Sequence, residues 1–138
     1  MTPSTSPYRL PALLHKAGVD FCLSYTGDME RMGSRNLAFT AGTAAAYGLD
    51  KEVAVQKITL DAARVLGIDK TYGSLEIGKS ATLFVSTNDA LDMRNNNVEV
   101  AFIDGRTIDL GNHQIDLWER YRERYRWINI LLHMNLYQ

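Results

Sequence analysis

The run Leu10-Pro-Ala-Leu-Leu-His-Lys-Ala-Gly-Val-Asp-Phe-Cys-Leu23 decides how the fold is read. Leu10, Leu13, Leu14 and Ala17 fall at helical spacing, and Gly18 stands where a helix C-cap belongs. Val19 to Leu23 is a short β-prone run. Helix, glycine, strand is half of a βαβ unit, and that order predicts a parallel sheet. The polar stretch from Ser24 to Arg35, with Gly27 and Gly33, reads as the loop past the carboxyl end of that strand. Parallel α/β folds gather their ligands in such loops.

On the amino-terminal side, Pro3, Ser4, Thr5, Ser6 and Pro7 read as a flexible leader. On the carboxyl side three short helices follow in series. Asn36 is placed to cap a helix over residues 37–47 that ends at Gly48. Asp50 caps residues 51–58, and Asp61 opens residues 62–66, which close at Gly67. After Tyr72 the pattern becomes mostly β. Gly73 to Gly78 reads as two turns around a short extended piece. Strands are predicted over residues 81–86 and 98–103, with a polar loop over residues 88–97 between them. Asp104-Gly105 is a two-residue hairpin signal, and residues 106–110 would return. Residues 114–125 form a charged helix with Leu117, Trp118, Tyr121 and Tyr125 on one sticky face. The tail from Trp127 to Tyr137 is apolar with no clear partner.

The chain has 138 residues, enough for one domain and its core, and short of the roughly 250 of a complete (β/α)8 barrel. Apolar residues are 46 % and charged residues 22 %, which excludes wholesale disorder. Fifteen Lys+Arg against sixteen Asp+Glu leave a net charge of −1, so no basic field points to nucleic acid or an anionic membrane. A single cysteine, Cys22, excludes a disulfide-stapled secreted domain and fits a reducing compartment. The leader lacks a basic stretch followed by an apolar run, so no signal peptide is expected, and no run approaches the ~18 apolar residues of a spanning helix. By default the location is cytoplasmic.

Chemistry-bearing residues are sparse. His15, His113 and His133 form no HxH, HExxH or HxxxH pair. His15 reads as a surface residue of the first helix, and His113 as part of a polar turn. Cys22 reads as an inert core thiol. There is no GxSxG elbow and no phosphate-binding GxxxxGK[ST] loop. Asp28, a few residues past the strand end and next to Gly27, admits two readings. A carboxylate there can ligate a metal or act as a general base; equally, Gly-Asp is ordinary turn chemistry. Glu30, Arg31 and Arg35 read as solvated charges. The sign-alternating run from Glu119 to Arg126 reads as a solvated helix face rather than an RNA-binding stripe.

Four ordered blocks carry a resemblance. They are Leu37-Ala-Phe-Thr-Ala-Gly-Thr-Ala-Ala-Ala-Tyr-Gly-Leu49, Ala54-Val-Gln-Lys-Ile-Thr-Leu-Asp-Ala-Ala-Arg-Val-Leu-Gly-Ile68, Gly73-Ser-Leu-Glu-Ile-Gly-Lys-Ser-Ala-Thr-Leu-Phe-Val85 and Val100-Ala-Phe-Ile-Asp-Gly-Arg106. The series, spanning about Pro7 to Arg124, resembles the carboxyl-terminal part of metal-dependent amidohydrolases, near the imidazolonepropionase-related group. Residues 62–85 are its most specific part.

The resemblance implies a (β/α)8 barrel holding one or two divalent metals, zinc or similar, and a small β-sandwich built from both chain ends. Residues 8–17 would be the helix before the last barrel strand, 19–24 that strand, and 37–66 the helices closing the barrel. Residues 81–110 would be the carboxyl-terminal share of the sandwich. The expected division is therefore α/β: a barrel end over 1–72, a β-rich sandwich part over 73–112, and a helix and tail over 113–138. The implied reaction is hydrolysis of non-peptide carbon–nitrogen bonds by metal-activated water, with an aspartate shuttling its proton.

Three departures from the family pattern stand out. The metal-binding HxH and the middle-strand ligands are absent, which leaves Asp28 as the one catalytic candidate. It follows Ser24-Tyr-Thr-Gly rather than a Thr or Ser directly, and Ala81-Thr-Leu83 replaces the usual Ala-Asp-Leu. The chain alone is therefore expected to be inactive, with no cofactor of its own. One strand cannot close a barrel, so unpaired edges and exposed apolar faces are expected. They suit a carboxyl-terminal fragment completed by its missing amino-terminal barrel portion or by a separate chain, or self-association as a non-catalytic assembly module. No nucleic-acid or membrane partner is expected.

Overall fold

The computed structural model describes residues 6–25, 30–122 and 125. These fall in two compact units, Met1–Ile108 and Asp109–Gln138.

In the first unit, α1 (Ser6–Lys16) is followed by a 3-10 helix (Glu30–Asn36) and three helices, α2 (Leu37–Ala46), α3 (Lys51–Ile58) and α4 (Leu60–Leu66). The helix stops lie where the glycines predict them. Gly18, Gly48 and Gly67 all take positive φ, and Gly18 N and Val19 N return to His15 O and Leu14 O at 3.0 Å. Asp50 caps α3 as expected, its Oδ1 accepting from Val53 N at 3.1 Å.

Three local expectations are corrected. The polar stretch before α2 is not all loop, because residues 30–36 coil into the 3-10 helix. That helix runs straight into α2, so Asn36 sits at φ −99°, ψ 8° and its side chain makes no capping bond. A side-chain cap needs the extended backbone that this entry lacks. Likewise α4 begins at Leu60 with Thr59 at the N-cap position, and Asp61 lies inside its first turn.

The predicted strand at residues 19–24 belongs to no sheet; the segment is irregular and has no ladder. A parallel strand is defined by its neighbours, and no described segment lies beside it as one. Its tie is to a helix: Leu23 N donates to Lys57 O at 3.1 Å.

The sheet has three antiparallel strands in the order β1 (Leu83–Ser86), β2 (Val98–Ile103), β3 (Arg106–Thr107). Leu83 faces Phe102 and Val85 faces Val100, and the register slips between Val85 and Ser86. Asp104 and Gly105 turn the hairpin at φ 49° and 77°, as a tight two-residue connection requires. β1 is shorter than predicted because Thr82 Oγ1 accepts from Asp104 N at 3.1 Å and Ala81 O from Gly105 N at 3.0 Å. These groups serve the turn rather than a ladder. β3 is shorter too, although Ile108 N still reaches Ala101 O at 3.0 Å.

The core consists mainly of small side chains. Ala41, Ala44, Leu49, Ala54 and Leu91 are buried together, with Ala12, Leu23, Val53 and Ile58 packed around them. Alanines let α1, α2 and α3 approach closely. Gly42 carries this furthest: a Cβ there would stand 2.3 Å from Leu91 O. Large apolar side chains remain outside, among them Val65, Leu66, Leu75, Ile77 and Phe84.

In the second unit, residues 113–122 are helical. Asn112 Oδ1 accepts from Gln114 N at 3.0 Å and Ile115 N at 3.1 Å, a side-chain cap. His113, read as a turn residue, is thus the first residue of the helix. Arg122 lies 4.5 Å from the Trp118 ring centroid. Leu117 is half-buried, while Trp118, Tyr121 and Tyr125 are exposed. The tail from Trp127, with His133, lies outside the described residues.

Candidate functional site

Asp28, the acid singled out from the sequence, lies outside the described residues, as do Thr26 and Gly27. What the structure does define is the segment leading to it and the helices that hold that segment. Val19 to Tyr25 follows α1 without regular secondary structure. Phe21, Cys22 and Leu23 are each half-buried rather than core, so Cys22 is not the fully interior thiol expected of a central strand.

Lys57, on α3, holds this segment at two points. Its carbonyl accepts the Leu23 amide, and its ammonium lies 4.6 Å from the centre of the Phe21 ring. The ammonium also donates to Asp61 Oδ2 at 2.6 Å, with both side chains nearly enclosed. Gln56 Nε2 at 3.0 Å and Arg64 Nη1 at 2.9 Å donate to the other carboxylate oxygen. Burial works to raise the Asp61 pKa, but the bonds from Lys57, Gln56 and Arg64 together outweigh it and leave the carboxyl below its usual range. Sequence reasoning took Asp61 as a helix opener and missed this cluster. The signal was present in the spacing Lys57-x-x-x-Asp61-x-x-Arg64, which places three charges on one helical face among alanines.

At the far end of the segment, Tyr25 OH and Thr40 Oγ1 are 2.8 Å apart. Thr40 gives its single proton to Asn36 O at 3.3 Å, so the tyrosine hydroxyl donates to the threonine. The pair borders an open cavity of about 440 Å3, completed by Asn36, Phe39, Thr43 and Met93. A larger cavity of about 760 Å3 lies between α2 and the 89–94 loop. The exposed Lys51–Asp89 ion pair on its wall lowers the Asp89 pKa and raises that of Lys51. An apolar groove of about 590 Å3 runs between α4 and β1, lined by Val55, Leu66, Tyr72, Leu75 and Phe84 among others.

The remaining candidates are dispersed. His15 is exposed at the end of α1, as expected, and Arg35 is exposed too. The side chains of Glu30 and Arg31 lie outside the described residues. Among the described residues no three of His, Cys, Asp and Glu come together to hold a metal ion. The donors among the described residues do not fit a divalent cation. No helix among the described residues is long and apolar enough to cross a membrane.

Residues 9–108 match the profile described as the amidohydrolase family. The crystal structure of an amidohydrolase from Thermotoga maritima MSB8 is similar, with a TM-score of 0.65 and 31 % sequence identity. The match covers 74 % of this chain and 26 % of that one, so the chain spans about a quarter of that protein's length. No curated protein matches the sequence.

Proposed function

The chain belongs to the amidohydrolase family, and from that premise we propose that it is the carboxyl-terminal share of a hydrolase acting on non-peptide carbon–nitrogen bonds, related to the imidazolonepropionases. In this reading α1 is the helix before the last barrel strand, and residues 19–24 are that strand. Helices α2 to α4 close the barrel, and the three-stranded sheet is part of the composite sandwich. The observation that carries the reading is the run of the family match through both the helical and the β part of the first unit, residues 9–108.

Asp28 is assigned the general acid–base role at the carboxyl end of the strand segment. A divalent metal, where the whole enzyme holds one, would supply activated water. Its ligands are assigned to barrel strands that have no counterpart in this sequence, which lacks the HxH pair. In this reading residues 1–138 alone are inactive, and the remaining barrel is supplied either by an amino-terminal portion of the same protein or by a separate chain. The test is hydrolysis by the purified full chain of a panel of cyclic and linear amides with zinc or manganese added. No turnover above the metal blank is expected. Metal-dependent turnover that Asp28→Asn abolishes would overturn the inactivity while keeping the acid.

A second reading has its own support. Val65, Leu66, Leu75 and Ile77 stand out into solvent, and the outer edge of β1 has no paired strand. Such surfaces favour association. The alternative is a non-catalytic module that assembles with itself or another chain.

A further inference from the structure

We propose that the apolar groove between α4 and β1 is closed by a second copy of this chain, in a two-fold dimer where Ile77 of each copy enters the groove of the other. The proposal rests on the second reading above, the module that assembles with itself, and names its contact surface. The groove has a volume of about 590 Å3, and none of its described lining residues is charged. Val55, Leu66, Ile68, Tyr72, Leu75 and Phe84 line it and are all exposed. Ile77, two residues beyond Leu75, is fully exposed.

The turn that carries Ile77 is braced. Gly73 takes φ 96° and lies so close to α4 that a Cβ there would stand 2.7 Å from Ala63 Cβ. Ser80 N donates to Thr71 O at 2.9 Å, and Lys79 Nζ reaches Ser74 Oγ at 2.6 Å and Glu76 Oε1 at 3.2 Å. A held turn therefore presents an isoleucine to water beside a groove that its own chain leaves open. One patch carries both a projecting side chain and a cavity, which is what a two-fold contact between identical surfaces needs. The size agrees. With Ile77, these seven residues leave on the order of 800 Å2 in water, what each partner gives up in a stable interface and more than a typical monomer exposes as one patch. With no charge along the groove, like can face like without repulsion.

The test is sedimentation equilibrium of the full chain over a concentration series. The unmodified chain should pass from monomer to dimer and stop at two, since a two-fold contact uses both patches. Ile77→Lys places a charge in the contact at a side chain that is fully exposed in the single chain, so it should weaken the dimer by about tenfold or more. Met93→Lys, at a position exposed outside the groove, should leave the dimer unchanged. A mixture of Ile77→Lys with Leu66→Glu should restore it, because one of the two contacts then carries a matched charge pair and the other is unaltered. Recovery in the mixture also shows that both variants fold. Association that runs past the dimer, ignores Ile77→Lys or fails to return in the mixture would overturn the proposal and leave self-assembly standing on another surface. A monomer at every concentration would overturn both and leave the groove to the remaining barrel.

Discussion

At the scale of single residues, Asp61 and Lys57 are the buried charged side chains among the described residues, and Asp61 gathers their bonds. It is 8 % exposed and meets three donors. Because its carboxyl is held below the range of an unfolded aspartate, the folded state gains stability that is fully present above about pH 4. That stability is lost as the pH falls through the lower, folded value. Thermal melts between pH 7 and pH 2 should therefore show a drop confined to the acid end, and Asp61→Asn should flatten it. An equally steep acid limb in the variant would assign the drop to other carboxylates. Glu76 also titrates low, through the Ser74 hydroxyl and then Lys79, and Asp89 through Lys51, but both are open to solvent and screened.

At the scale of elements, caps and glycine stops were legible because they act locally. Asp50 accepting Val53 N is a four-residue event, and the sequence contains all of it. Replacing Asp50 by alanine should cost about 1 kcal/mol in denaturant unfolding, with an unchanged m-value. The same locality explains Gly48, Gly67 and the Asp104-Gly105 turn. Elements defined by a distant partner were read less well. Residues 19–24 have the composition of a strand, yet a ladder depends on what lies alongside. The Lys57–Asp61 cluster was missed because a Lys and an Asp four apart look the same on a solvated face as on an enclosed one. Burial separates the two cases, and it depends on neighbours far off in sequence, such as Phe21 beside the Lys57 ammonium. Asp28 was singled out from sequence alone and rests on the resemblance.

At the scale of the whole molecule, the core is built of alanine, with leucines at positions 49 and 91. The larger apolar side chains are displaced to the surface around α4, the 73–78 turn and β1. A chain of this design should associate, its weight-average mass in sedimentation equilibrium rising with concentration. Leu75→Ser with Ile77→Ser should reduce that rise, since both side chains are largely exposed and contribute little to the folded unit. A strictly monomeric chain at all concentrations would count against both the partnered and the self-assembling reading.

The proposed function gives this chain the last strand segment and closing helices of an amidohydrolase and puts the metal ligands on other barrel strands. The most direct measurement is elemental analysis of the purified, folded full chain after equilibration with zinc and removal of the excess. The account predicts zinc at background, well below one equivalent per chain. One tightly held equivalent, lost on Asp28→Asn or on removal of a histidine, would contradict it and place a metal centre within these 138 residues.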